Sequence, residues 1–268
     1  MRMRRKPWTE PLLDACAYLA NRPREHRGHW RESFARPDAP LHLEIGCGKG
    51  VSTVKMAHAN PDVNYVAIDE VRHVLAVTIK NAAEEYRDDC IDNLALSAVD
   101  AMFITDTFAP EDRIARIYIH FPNPWNEKAK QHKRRLTHPR QLMQYRTFLA
   151  PNGEIWFKTD DETLFLASKR YLADCGFEIV FATDDLHASG FTPNYISEHE
   201  AHYLSLGMKI HFLIARMTEL PAGFIYETEG KPFDRIECGD DRRTSKQAYR
   251  IRKKVIASRA ESEERSSE

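Results

Sequence analysis

The chain has 268 residues, of which 42% are hydrophobic and 29% charged, with a formal net charge of -1. That mix suits a globular domain with appendages, which at this length buries about 70 to 75% of the surface its unfolded form exposes, and it excludes wholesale disorder. No apolar run approaches transmembrane length, and the near-neutral balance leaves any nucleic-acid binding to local patches.

Residues 1–40 form a basic lead-in, with Arg2, Arg4, Arg5 and Lys6 followed by Arg22, Arg24, Arg27 and Arg31, and five prolines between. It reads as partly helical at most. It is either a solvated tail or an arm that wraps the domain or meets an acidic partner. Thr9-Glu10-Pro11 follows the first basic residues where a signal peptide would turn apolar, so the expected location is cytoplasmic and no membrane is involved. Cys16, Cys47, Cys90, Cys175 and Cys238 are far apart, without the paired spacing of a zinc site or a redox dithiol. They read as reduced thiols, and no metal is expected.

From 41 to 216 the segments alternate between strand and helix, as a parallel sheet with crossover helices requires. Strands are expected at 41–45, 63–68, 94–98, 114–121, 154–158, 177–182 and 209–215. Helices are expected at 51–59, 71–86, 139–149 and 162–174, with a short one after Ser197. Along 114–121, Ile117 and Ile119 fall on one side, and Tyr118 and His120 on the other. In 71–86, Val71, Val74, Leu75 and Ile79 share a helical face. Ala150-Pro151-Asn152-Gly153 reads as a breaker, and Ser197 with Glu200 has capping-box spacing. The fold class is therefore α/β, a Rossmann-like, mostly parallel seven-stranded sheet with helices on both faces. Residues 217–268 read as a charged extension. Within it, 242–259 carries eight Lys or Arg, no acid and interleaved apolar residues, a basic amphipathic helix ahead of a disordered acidic end.

The chemistry begins at Glu44-Ile45-Gly46-Cys47-Gly48-Lys49-Gly50, a strand end running into a glycine turn. Gly46, Gly48 and Gly50 let the backbone turn tightly and approach a ligand. A dinucleotide fingerprint would place Gly or Ala where Val51 stands. Glu44, beside the turn, suits a positively charged amino group better than a pyrophosphate. Asp69, at the tip of the second strand, can accept from two ribose hydroxyls. Together these favour S-adenosylmethionine. Asp100 sits where an adenine-contacting acid would fall, and equally where a helix cap would.

Phe121-Pro122-Asn123-Pro124-Trp125 then forms a rigid turn at a strand's carboxyl end. It holds Asn123 and Trp125 beside the cofactor, and Lys128, Lys130, Lys133, Arg134 and Arg135 follow against one acid, Glu127. Such a run is commonly a solvated loop. Beside a catalytic turn it suits a phosphate backbone. Asp160, closing Lys158-Thr159-Asp160, either accepts from donors on a base edge or caps the next helix.

These residues resemble the tRNA (guanine-N(7)-)-methyltransferase family over roughly 1–216. The resemblance rests on Arg4-x-Lys6-Pro7-Trp8, the glycine turn, Phe121-Pro122-Asn123-Pro124-Trp125 with Lys133-Arg134-Arg135-Leu136, Lys158-Thr159-Asp160 and Ser197-Glu198-His199-Glu200. It implies a methyl donor, S-adenosylmethionine, lined by Glu44, Asp69, Asp100 and Asn123. It implies a tRNA substrate, with Lys128, Asp160 and 197–200 facing the target nucleotide and Asp160 catalytic. The family usually has Asp where Asn123 stands and Thr where Ser197 stands. The spacing from Trp125 to Lys133 is one longer than in some members, so Lys128 rather than Glu127 matches the family lysine. No protein partner is evident, and monomer and homodimer both stay open. Three rivals remain: an amino-group methyltransferase, for which Asn123-Pro124-Trp125 would be the amine-accepting corner; a nicotinamide dehydrogenase, which Val51 disfavours; and a non-catalytic RNA-binding protein.

Overall fold

The computed structural model describes residues 7–220. The expected basic helix at 242–259 and the arginines and lysine at 2–6 lie outside the described residues. Strands β1 (Leu19–Ala20), β2 (Leu41–Ile45), β3 (Asn64–Asp69), β4 (Leu94–Ala98), β5 (Ile114–His120), β6 (Leu149–Thr159), β7 (Phe177–Thr183) and β8 (His211–Met217) alternate with helices α1 (Thr9–Ala15), α2 (Val51–Ala59), α3 (Arg72–Tyr86), α4 (Pro139–Arg146), α5 (Glu162–Asp174) and α6 (Glu198–Ser205). They form one sheet in the order β1-β4-β3-β2-β5-β6-β8-β7. All neighbours are parallel except β8, which runs antiparallel to both β6 and β7. No described helix is long and apolar enough to cross a membrane.

A strand at the centre of such a sheet is covered on both faces and must be apolar throughout, or carry polar groups that find partners. In β2 all five residues are buried, including His42 and Glu44. The two faces carry separate cores. Ile117, Ile119, Ile155 and Phe157 pack with α4 and α5 residues on one side, while Tyr65, Ala67, Leu96 and Tyr118 pack with α2 and α3 residues on the other. The side-to-side alternation expected for β5 is therefore observed. In α3, Leu75 and Ile79 point inward as expected, but Val71 precedes the first turn and is 39% exposed.

The sheet has eight strands rather than seven. The added one, β1, is two residues long and pairs with β4, too short for any periodicity to announce it. A second difference concerns 149–153. The breaker expected to stop the helix ahead of a strand at 154 lies inside β6 and bulges it: Ile114 pairs with Leu149 and Arg116 with Glu154, so the intervening residues of β6 loop out. Asn152 has φ 61°, and a Cβ on Gly153 would lie 2.8 Å from the Ala150 carbonyl oxygen. Helix α4 accordingly stops at Arg146, not at 149.

The lead-in folds onto the sheet. Trp30 is wholly buried, donates from its indole to the Thr107 carbonyl at 2.9 Å and stacks on Phe108 at 5.4 Å. Asp112, also wholly buried, accepts backbone N–H groups from Gly28, Trp30 and Ala109. Arg31 donates to the carbonyls of Ala39, Asp112 and Arg113, and Arg24 pairs with Asp106 at 2.7 Å. Arg24 and Arg31 thus hold the lead-in to the segment between β4 and β5. Trp30→Ala should cost about 3–5 kcal/mol of stability, measured by urea unfolding. A loss below 1 kcal/mol would contradict this clamp.

Candidate active site

The turn after β2 is built by what its residues cannot do otherwise. Gly46, Gly48 and Gly50 all have positive φ (80°, 55° and 68°), a region open to glycine and costly for most side chains. Gly50 also lies directly against Thr78 of α3, leaving no room for a Cβ. The amides of Gly46 and Cys47 both donate to the Ile68 carbonyl. Asp69 completes the turn, its two oxygens accepting from the amides of Gly48 (3.0 Å) and Val71 (2.8 Å). Burial pushes the Asp69 pKa upward, with those two amides opposing the shift.

Above the carboxyl ends of β2 to β5 lies a cleft of about 720 Å³, walled by Gly46, Asp69, Asp100, Asn123, Trp125 and Arg134 among others. Its size falls in the range of small-molecule sites. Two large apolar side chains, Val71 at 39% and Phe103 at 61% exposure, also belong to its wall. Asp100 does both things its position suggested: it caps the turn at 101–106 by accepting from Met102 N at 2.8 Å, and it faces the cleft. Asn123 lines the cleft while its Oδ1 accepts from Trp125 N at 3.0 Å.

Glu44 is placed differently from expectation. It is 2% exposed and is not part of the cleft wall. One of its oxygens accepts from the Thr53 hydroxyl, and the other lies 3.1 Å from His120 Nδ1. Burial alone would raise its pKa, but the His120 contact, Thr53 and the Lys158 charge hold it below the ordinary carboxylate value. His120 is the member of this pair that reaches the cleft wall. Of the three glycines, Gly46 lines the cleft; Gly48 and Gly50 shape the turn behind it.

The basic run after Trp125 divides in two. Lys128, Lys130, Lys133 and Arg134 are exposed, and the last two line the cleft. Arg135 is wholly buried: Nε donates to the Pro124 carbonyl at 2.9 Å and one terminal nitrogen to Asn126 Oδ1 at 2.9 Å. It fastens the Pro-Asn-Pro-Trp turn, and the expectation that it faces phosphate is corrected. The cause is geometric: the turn leaves inward-facing carbonyls that need a donor.

Just past the end of β6 and outside the cleft wall, Asp160 is half-buried, with burial raising its pKa and Asp161 adding to the rise against His199 and His211. Ser197 caps α6 through Glu200 N at 3.1 Å. Glu198 pairs with Lys49 of the glycine turn at 2.7 Å. The His199 ring lies 6.5 Å from that of Phe121, interplanar angle 17°. Glu200, expected to face a nucleotide, is wholly buried and receives Lys158 Nζ (3.1 Å), His187 Nε2 (2.9 Å) and Asn194 Nδ2 (2.8 Å). Its capping-box spacing yields the Ser197 half only, because its carboxylate is drawn to Lys158. Lys158 and His120, read in the sequence only as part of a motif and of a strand face, carry contacts that the sequence assigns to neither. A lysine directly after the apolar run Ile155-Trp156-Phe157 is the available signal for Lys158, since a buried cation needs a buried partner.

The sequence profile of a family described as a putative methyltransferase matches residues 38–213. A protein of Acetivibrio thermocellus named tRNA (guanine-N(7)-)-methyltransferase is 49% identical over 217 residues, covering 80% of this chain and 99% of its own. One of Clostridium perfringens strain 13 with the same name is 45% identical over 219 residues, covering 81% and 99%. Among solved structures, that of the 16S rRNA methyltransferase KamB is similar in fold, with a TM-score of 0.52 at 13% identity over 70% of this chain and 91% of its own.

The buried cluster yields a test. Glu200→Gln strands the Lys158 charge and should cost about 3–5 kcal/mol in urea unfolding. Adding Lys158→Met should recover at least half of that; a double variant no better than the single one would show that the two do not act as a pair. The Glu200 pKa is held down by Lys158, Asn194 and His187 against the opposing effect of burial. Its contribution to stability is therefore complete above the unfolded-state carboxylate pKa and is lost as pH falls through the lower folded value.

Proposed function

The chain belongs to the tRNA (guanine-N(7)-)-methyltransferase family, and on that premise we propose that it moves a methyl group from S-adenosylmethionine to ring nitrogen 7 of a guanine in the variable loop of tRNA. The observation that carries this reading is the cleft. It sets Asp69 and Asp100 at adjacent strand ends beside two exposed apolar side chains, and opens on the other side toward Lys133 and Arg134. Acids for ribose and adenine polar groups, with apolar walls for the base, fit the adenosyl part of the donor. When bound, the donor supplies an electrophilic methyl group on a sulfonium.

The protein's residues position rather than deprotonate. Nitrogen 7 carries an exposed lone pair and no proton, so no general base is required. Asn123 stands where the family resemblance implies Asp, and its Oδ1 holds the turn through Trp125 N. Orientation of two bound reactants contributes up to about 7–11 kcal/mol in favourable cases. Asp160 would accept from the guanine's Watson–Crick donors, with His199 beside it. Lys128, Lys130, Lys133 and Arg134 would take the phosphates. Ser197 and Glu200 act one step back, seating α6 so that Glu198 and His199 face outward. Glu44 would hold the His120 ring in place at the donor's end of the cleft. The amino-group reading is less favoured, because one lone pair of the accepting Asn123 oxygen is already held by Trp125 N.

The deciding experiment is label transfer from radioactive S-adenosylmethionine to unmodified tRNA, with the methylated atom mapped by mass spectrometry. Label on nitrogen 7 is expected; label on an exocyclic amine would favour the rival. Asp160→Ala should lower turnover by about a hundredfold or more while S-adenosylhomocysteine affinity by calorimetry changes less than about twofold. Normal turnover in that variant would remove Asp160 from its role.

A further inference from the structure

Trp125 sits in backbone that a bulky residue rarely adopts. Its φ is 49°, and Phe121, four residues earlier, has φ 50°. Such conformations persist where the surroundings over-determine them, and they concentrate at functional sites. Here the surroundings are identifiable: Pro122 and Pro124 restrict the turn, Asn123 Oδ1 accepts from Trp125 N, and buried Arg135 grips the Pro124 carbonyl. The two aromatic rings then part company. Phe121 packs against the apolar cluster of Leu186, Ile210, Phe212 and Ile214. Trp125 joins none of the three apolar clusters among the described residues, remains partly exposed and forms part of the cleft wall. An indole contributes to stability chiefly by burial, and this one, held in a strained turn outside the apolar clusters, keeps part of its surface open to the cleft.

The ring already has a cation on its face. The Arg134 guanidinium carbon lies 5.0 Å from its centroid, inside the range in which an aromatic quadrupole attracts positive charge. The reaction proposed above creates a second cation nearby. Nitrogen 7 uses its lone pair to form the new bond to the methyl carbon as the carbon–sulfur bond breaks. The bonding electrons stay on sulfur, which becomes a neutral thioether, and the positive charge passes to the guanine ring with no proton released. A π face against that ring is worth more after transfer than before it, which is the condition for lowering a barrier rather than merely binding substrate.

Resting on that reading of the reaction, we propose that Trp125 is a catalytic residue: it stacks on the target guanine and stabilises the positive charge that methylation places on it, with Arg134 leaving the indole for the RNA phosphates. The donor-side residues orient the methyl group; Trp125 acts on the acceptor as it becomes charged.

The test compares wild type with Trp125→Leu and Trp125→Phe in single-turnover methylation at saturating tRNA. It also measures equilibrium binding of unmodified and N7-methylated tRNA with S-adenosylhomocysteine present. Trp125→Leu should slow the chemical step about tenfold while affinity for unmodified tRNA changes less than about threefold. It should also erase the preference of the wild type for the methylated, cationic base, and Trp125→Phe should keep most of both. A wild-type rate in Trp125→Leu overturns the proposal, as does an equal loss of affinity for the two RNAs, which would mark a purely structural ring. Fluorinated tryptophans placed at 125 keep the shape while weakening the π face, so the test stands even where the leucine variant fails to fold. Rates should fall stepwise with fluorination, and a flat series refutes the idea. Failure of wild type to methylate nitrogen 7 at all would instead overturn the reading of function beneath it.

Discussion

A carboxylate cut off from water must find its donors inside the protein, and much of the proposed substrate side of this molecule follows from where Glu200 finds them. Lys158 comes from the end of β6, His187 and Asn194 from the loop after β7, and Glu200 itself from the first turn of α6. The arrangement depends on the one antiparallel strand. Because β8 runs against β6, with His211 opposite Thr159, the chain enters β8 at the carboxyl end of the sheet. The connection from β7 must therefore lie over that end, beside the cleft. Four donors and acceptors from three segments then hold it in one place, and Ser197, Glu198 and His199 are delivered to the rim as a by-product of satisfying a buried charge.

The glycine turn works on the same principle at smaller scale. Asp69 reads from the chain as a ligand-facing acid, yet both of its oxygens are engaged by backbone amides that define the turn. It can serve a ligand only through the lone pairs that remain. The Lys49–Glu198 pair then ties this turn to α6, so that the two sides of the site share one exposed ionic contact.

Much of this is legible in the sequence alone. Strand positions, the two-sided character of β5, the glycine turn, and the cleft positions of Asp69, Asp100 and Asn123 all follow from residue types at fixed spacing. Direction was not legible. Glu44, Arg135 and Glu200 are charged residues in or beside motifs, and charge there reads as facing a ligand. All three face inward, because their partners, His120, the Pro124 carbonyl and Lys158, are set by the tertiary fold. Lys158 and Glu200 are 42 positions apart, beyond any local pattern. The two residues of β1 and the bulge at 149–153 escaped for the opposite reason. They are too short to show a period of their own and are created by pairing with a neighbour strand.

The lead-in carries a consequence for anyone dividing this chain into parts. Composition invites a cut near residue 40, where a basic, proline-rich stretch gives way to the first long strand. Such a fragment would lose Trp30 and with it the ring stacked on Phe108, which in turn leans on Phe148 in the main core. It would also leave Asp112 buried with two of its three amide donors gone. The segment thereby loosened, 101–112, begins at the cleft wall. A minimal fragment begun at 41 would thus lose more than its tail, since the cleft wall we propose for the donor's base would no longer be braced from behind.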